Sequence, residues 1–268
     1  MPDEERDKGF NRAKRAMPLA KPLASTNEEQ VYTSPFGQYL DAVVSPAEAF
    51  RGAQARPRWL VFFLITIAVF LVYTFFSMPY NIEAQKELLD EVISTNGDTM
   101  PPEQLAQLED YRDHIGTGFM GQVFPYLAVP VTLFLYLLVA SAGLNVGVGL
   151  TGEKLGFRNA VSIVSLASVA MAAGAVVTLV LVLVKGDVYV GANLGLLFPR
   201  WPTEWYTRVL KGFASQIDIF SAWSVYLFTV GVREVTGLAT RRSFRVVIIL
   251  WVLWAVLMTA LSYFGFAH

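Results

Sequence analysis

The chain has 268 residues, 54% of them hydrophobic, 13% aromatic and only 16% charged, which is too apolar for an ordinary soluble domain. A net charge of −1 supplies no basic surface for nucleic acid, and the absence of cysteine excludes disulfides and cysteine-ligated metals. The two histidines, His114 and His268, lie far apart and form no HExxH pair, so neither a metal nor any other cofactor is expected.

A bilayer core of roughly 30 Å needs about 20 apolar residues in helical form. Five stretches meet that requirement, at about 59–78, 124–150, 160–184, 213–232 and 246–266, and none contains Lys or Arg. The predicted fold class is therefore all-α, a polytopic integral membrane protein with five transmembrane helices. More than fifty residues precede the first apolar run, so that run is expected to be an uncleaved anchor rather than a signal peptide.

In chain order, residues 1–44 read as a cytoplasmic tail, largely disordered, because residues 1–30 mix six acidic with six basic residues and few core-forming aliphatics. The basic subcluster Arg12, Lys14, Arg15 and Lys21 is read as solvated, with contact to anionic lipid as the other reading. Residues 45–268 form the membrane domain. Ser45-Pro46-Ala47-Glu48 has the form of a capping box with proline in the first helical turn. It predicts a short helix to about Gln54 along the inner membrane surface, with Phe50 toward lipid and Arg51 among head groups.

The first span, Trp59–Met78, is bracketed by Arg58 and Pro79. Residues 81–121 then carry nine acidic residues against Lys86 and Arg112, so this loop is expected outside the cell. Asn96-Gly97-Asp98 divides it into two short helices with Leu88, Val92, Leu105 and Leu108 at helical spacing. An outer helical hairpin is predicted between the first two spans, either a docking element or a hairpin packed on itself.

The second span contains Pro125 and Pro130, and its Gly143 and Gly147 form a G-x-x-x-G pair. Ala170 with Gly174, and Ser168 with Ala172, repeat that small-residue spacing in the third span, which predicts close helix packing within the chain. The intervening GVGLTGEKLG has glutamate where a phosphate loop requires lysine, and no strand precedes it. Lys154 and Arg158 place that loop inside, as do Arg233, Arg241, Arg242 and Arg245 after the fourth span, so the N-terminus is expected in and the C-terminus out. The loop 185–212 must then be outside despite four basic residues; its VYVGANLGLLF is too short to span, with Trp201, Trp205 and Tyr206 as interfacial anchors.

The fourth span holds Asp218. Counted back from Arg233 as one continuous helix, it lies on the order of 22 Å from the inner edge of the core. Ser215 and Ser221 lie at offsets of three, and Lys211 seven residues earlier, on the same small, polar stripe. An ionisable group at that depth faces the bundle interior or a wet cavity. The readings are a structural hydrogen bond to a serine or to Asn145, and an ion or substrate site; a lone carboxylate favours the structural one.

SPAEAFRGAQARPRW, PPEQLAQLEDY, GEKLGFRNAVSIVSLASV, DVYVGANLGLLFP and IDIFSAWSVYLFTVGV, in that order, resemble bacterial members of the Yip family, the Ypt/Rab-interacting membrane proteins. The resemblance covers about residues 45–266 and carries over Pro46, Phe50, Gly156, Phe157, Arg158, Asp218, Phe220 and Trp223 as recurrent positions. It implies a five-helix integral membrane domain, and the family variant points to the bacterial cytoplasmic (inner) membrane. A non-enzymatic role is expected, an intramembrane enzyme ranking third, because no nucleophile and base or metal pair can be assembled from polar residues within the spans. The trafficking role and Rab partners of eukaryotic relatives do not transfer directly. The expected function is a membrane scaffold or accessory subunit for envelope, lipid or efflux machinery; the alternative is a small oligomeric transporter or channel using the polar stripe around Asp218. Expected partners are membrane lipids and another envelope or membrane protein, with a homo-oligomer left open and no nucleic acid.

Overall fold

The computed structural model describes residues 34–191, 193–199 and 204–263. The basic subcluster Arg12 to Lys21, Trp201, His268 and the last three residues of the expected fifth span lie outside the described residues. Helices α1 (Pro35–Val44) and α2 (Pro46–Ala55) each begin on a proline, where no helical amide bond is lost. Helix α1 falls within the range that composition assigned to the tail, and it packs on its neighbours through Gln38, Tyr39 and Ala42. The expected capping box is not formed at Ser45, because its amide closes α1 on the Asp41 carbonyl at 2.7 Å and is not available to Glu48.

Helix α3 runs without interruption from Trp59 to Asn96, 38 residues and about 57 Å at 1.5 Å per residue. The first expected span and the first helix of the hairpin are thus one helix. Pro79 removes a single backbone hydrogen bond and does not end it. A 3-10 turn, Gly97–Thr99, leads to α4 (Pro102–His114), which folds back on α3; Leu88, Val92, Leu105 and Leu108 are half-buried there. Then follow α5 (Gly118–Gln122), α6 (Phe124–Gly149), α7 (Phe157–Ala167) and α8 (Val169–Lys185). A 3-10 turn at Leu194–Leu197 precedes α9 (Trp205–Ala214), α10 (Ile219–Thr236) and α11 (Thr240–Tyr263).

Among the described residues, four helices are long and apolar enough to cross a membrane: α3, α6, α7 with α8, and α11. The fourth expected span, 213–232, is not a continuous helix. It divides at residues 215–218 into α9 and α10, because Asp218 adopts an extended conformation (φ −147°, ψ 176°) and caps α10 instead of continuing α9.

Helix α3 packs on α6 and α8, α8 on α10, α10 on α11 and α11 on α6, which closes a ring of five. Helix α7 lies inside it, against α3, α6 and α10, and every residue from Ala160 to Ala167 is buried. The α1–α2 pair packs at the end of the ring opposite the α3–α4 hairpin, against α7 and α10. Large side chains such as Leu64, Val72, Val131, Leu135, Val180 and Leu253 are exposed around the ring, as on a surface whose solvent is lipid.

Phe50 does not point toward lipid: it is only 1% exposed and lies against Gly231, where an added Cβ would come 3.0 Å from its ring and 2.8 Å from Ile163. The expected small-residue packing is made within the chain. A Cβ at Gly147 would approach Val246 at 2.9 Å and Leu250 at 3.2 Å, one at Gly174 would approach Phe220 at 3.1 Å, and Ala170 is fully buried. Gly143 has more room, its nearest neighbour being Leu250 at 3.6 Å.

At Ser168 the third span breaks (φ −61°, ψ −10°), and the chain leaves the axis of the ring for its wall. Three buried hydroxyls hold that point. Tyr39 lies 3.1 Å from Thr66, Thr66 2.6 Å from Ser168, and Ser168 donates to the Ser165 carbonyl at 2.6 Å. The Thr66 hydroxyl also donates to the Phe62 carbonyl at 3.1 Å, so it joins Tyr39, Ser168 and its own helix. Thr66→Val should strand the buried Tyr39 hydroxyl and cost about 1–3 kcal/mol, whereas Tyr39→Phe removes only a donor and should cost less. Thermal unfolding in detergent reads that ranking.

Candidate functional site

Above the break at Ser168, no helix fills the axis of the ring, and a cavity of about 1000 Å³ remains there. All five wall helices line it, through residues such as Phe70, Leu144, Met171, Val225 and Leu250. Gly174, whose lack of a side chain lets Phe220 lie close, also faces it. Tyr136 and Trp254 meet edge to face across it at 5.6 Å between ring centroids.

The end of the cavity nearer the α3–α4 hairpin is polar. Asn193, Lys211, Ser215, Gln216, Asp218 and Ser221 gather there. The segment before α9 is fastened over this end: the Leu194 amide donates to the Ile217 carbonyl at 3.0 Å, and Lys211 Nζ donates to the Pro199 carbonyl at 3.0 Å. Asn193 and Asp218 form an isolated antiparallel bridge, and Asn193 Oδ1 accepts from the Gly195 amide at 2.9 Å. A Cβ on Gly195 would collide with the Ser215 hydroxyl, so this approach requires glycine.

Asp218 is a helix cap. Its Oδ1 accepts from the Phe220 amide at 2.6 Å and the Ser221 amide at 2.7 Å, while the Ser221 hydroxyl accepts from the Asp218 amide at 2.9 Å. This reciprocal pair satisfies donors that a helix beginning inside an apolar bundle would otherwise leave bare. Oδ2 makes no hydrogen bond among the described residues. Ser215 bonds the Lys211 carbonyl of its own helix at 2.8 Å.

The structure therefore brings Asp218, Ser215 and Ser221 together, but through turn geometry rather than one helical stripe. Asn145 does not join them: it is half-buried on α6, does not line the cavity and makes no side-chain hydrogen bond among the described residues. Of the positions carried by the resemblance, Phe220 lines the cavity and Trp223 packs on the core. Pro46 starts α2, Gly156 caps α7 at φ 77°, and Phe157 and Arg158 are exposed.

A second polar group ties α2 to the end of α10. Arg51 Nε lies 2.7 Å from Glu234 Oε2, and Arg233 reaches the other oxygen, so Arg51 is held by a carboxylate rather than by lipid head groups. Burial alone would raise the Glu234 carboxyl, but the bonds and charges of Arg51 and Arg233 outweigh it and hold the group below its usual value. The sequence carried no signal for this contact between residues 183 positions apart. Among the described residues, no group of three or more His, Cys, Asp or Glu side chains converges.

An all-helical bundle with a lipid-facing exterior and spanning helices defines a polytopic integral membrane protein. The Yip1 domain matches residues 40–261, and the chain belongs to that family of non-enzymatic membrane proteins involved in trafficking. No curated protein and no solved structure matches it.

Two predictions follow from this geometry. Asparagine caps a helix as well as aspartate, so Asp218→Asn should leave thermal stability nearly unchanged, whereas Asp218→Ala should cost about 1 kcal/mol. Because the folded-state value of Glu234 is lowered, its contribution is present above its unfolded value near 4.3 and is lost as pH falls through the lowered one. Wild type and Glu234→Gln should accordingly differ in thermal midpoint at pH 7 and converge in acid.

Proposed function

We propose that the protein is a membrane scaffold or accessory subunit of envelope, lipid or efflux machinery in the bacterial cytoplasmic membrane, with its N-terminus in and C-terminus out. The observation that carries this reading is the continuity of α3. The helix that leaves the membrane is the one that builds the hairpin, and its last 18 residues extend about 27 Å beyond Met78. An arm joined this way transmits position better than one hung from a flexible loop.

The arm's surface is acidic, with nine acidic residues against two basic ones between residues 81 and 121, and no residue of α4 is buried. Arg112 joins the two helices through Asp90 at 2.9 Å. Exposed pairs of this kind contribute little stability, and exposed carboxylates such as Glu103 and Glu109 present charge to a basic partner surface. A second reading, a small transporter or channel using the stripe around Asp218, is favoured by the polar end of the cavity. The scaffold reading ranks first because Asp218 is the one acidic side chain among the described residues that line the cavity.

Photo-crosslinking from the exposed Tyr111 in cells tests the arm. A discrete crosslinked partner should appear and should fall several-fold when Glu103, Glu109 and Asp110 are changed to lysine, with no change in thermal midpoint. No crosslink, or one indifferent to charge reversal, removes the arm as a docking surface; an ion flux abolished by Asp218→Asn would move the transporter reading ahead.

A further inference from the structure

The cavity has the dimensions and polarity of one leaflet of a bilayer. Along α10 it extends from Asp218 to Phe228, and along α11 from Val247 to Leu257, ten residues in each case and about 15 Å of helix. That is half of a hydrocarbon core of roughly 30 Å, the depth of one lipid tail. Leu144, Val225, Phe228, Val247 and Leu250 supply a mainly apolar shaft in which Tyr136, Thr178 and Ser224 carry hydroxyls, and the charged and amide groups lie at the hairpin end. An ion path would need ionisable or amide groups along its length, and here they gather at one end.

The polar end holds charges of both signs. Lys211 is a cation that already donates to the Pro199 carbonyl, and Asp218 is a carboxylate whose Oδ1 takes both cap bonds while Oδ2 makes none among the described residues. Asn193 and Gln216 add amides beside them. This set matches a head group with a phosphate for Lys211 and a hydrogen-bonding ammonium for Asp218.

We propose that the cavity binds one phospholipid with a primary-amine head group, drawn from the leaflet on the hairpin side, with a tail in the shaft and the head between Lys211 and Asp218. A tail gains little on leaving bilayer for protein, since lipid is as apolar as the shaft. Selection therefore lies in the head. A quaternary ammonium cannot donate to Asp218, and a glycerol head brings no cation. The site is separate from the acidic arm, so its presence or absence does not decide whether the arm docks a partner.

The test uses the full chain in nanodiscs containing equal parts of phosphatidylethanolamine, phosphatidylcholine and phosphatidylglycerol, followed by native mass spectrometry of retained lipid. One phosphatidylethanolamine per chain should survive, preferred over phosphatidylcholine by about tenfold, the size of one charge-assisted hydrogen bond. Asp218→Asn keeps the cap and should remove that preference. Ser224→Phe and Thr178→Phe, which fill the cavity from two different helices, should each abolish retention, with thermal midpoints confirming that the variants are folded. The proposal is overturned by no retained lipid, by no preference for the primary amine, by a preference that persists in Asp218→Asn, or by retention that folded cavity-filling variants leave intact.

Discussion

The departure of the chain from the ring axis at Ser168 is the point on which the other features depend. Up to Ala167 the third span is a central helix surrounded on all sides; beyond it the same span becomes part of the wall. A hydroxyl in that position would cost about 1–3 kcal/mol if left unpaired. The run of hydrogen bonds from Tyr39 through Thr66 to the Ser165 carbonyl removes that cost and at the same time fastens α1 and α3 to the break. The filled half of the ring, the open half, and the placement of α1 all follow from this one junction.

The open half in turn explains the aspartate in an otherwise apolar segment. A helix starting beside a cavity exposes amides with neither water nor a preceding turn to accept them. Asp218 and Ser221 answer that need locally, and the segment from Asn193 to Phe198 closes over them with backbone bonds of its own. Charge inside the bundle is thus first a device for beginning a helix there. Its Oδ2, which makes no hydrogen bond among the described residues, is the atom on which the proposed lipid preference rests.

At the two ends, the polar chemistry is of another kind. The α3–α4 arm is exposed and acidic, held by surface pairs that contribute little energy. The opposite end is tied by Glu234, only 11% exposed, between two arginines, so α2 and α10 are joined there. A membrane protein without catalytic groups presents its specificity through such surfaces and cavities.

Sequence alone determined the class. Runs of about 20 apolar residues can only be helices in lipid, because every backbone group must be satisfied within the segment, and the order of motifs pointed to the family. The nearness of Asp218, Ser215 and Ser221 was also legible, since residues three apart remain neighbours in a helix and in a capping turn. What hydropathy cannot report is whether a polar residue continues a helix or ends one. Tertiary structure alone decided that Pro79 is crossed, that Ser168 and Asp218 interrupt, that Phe50 enters the core against Gly231, and that Arg51 meets Glu234. Each of those outcomes depends on partners distant in the chain, and the energies of burial and hydrogen bonding that select them exist only once those partners are assembled.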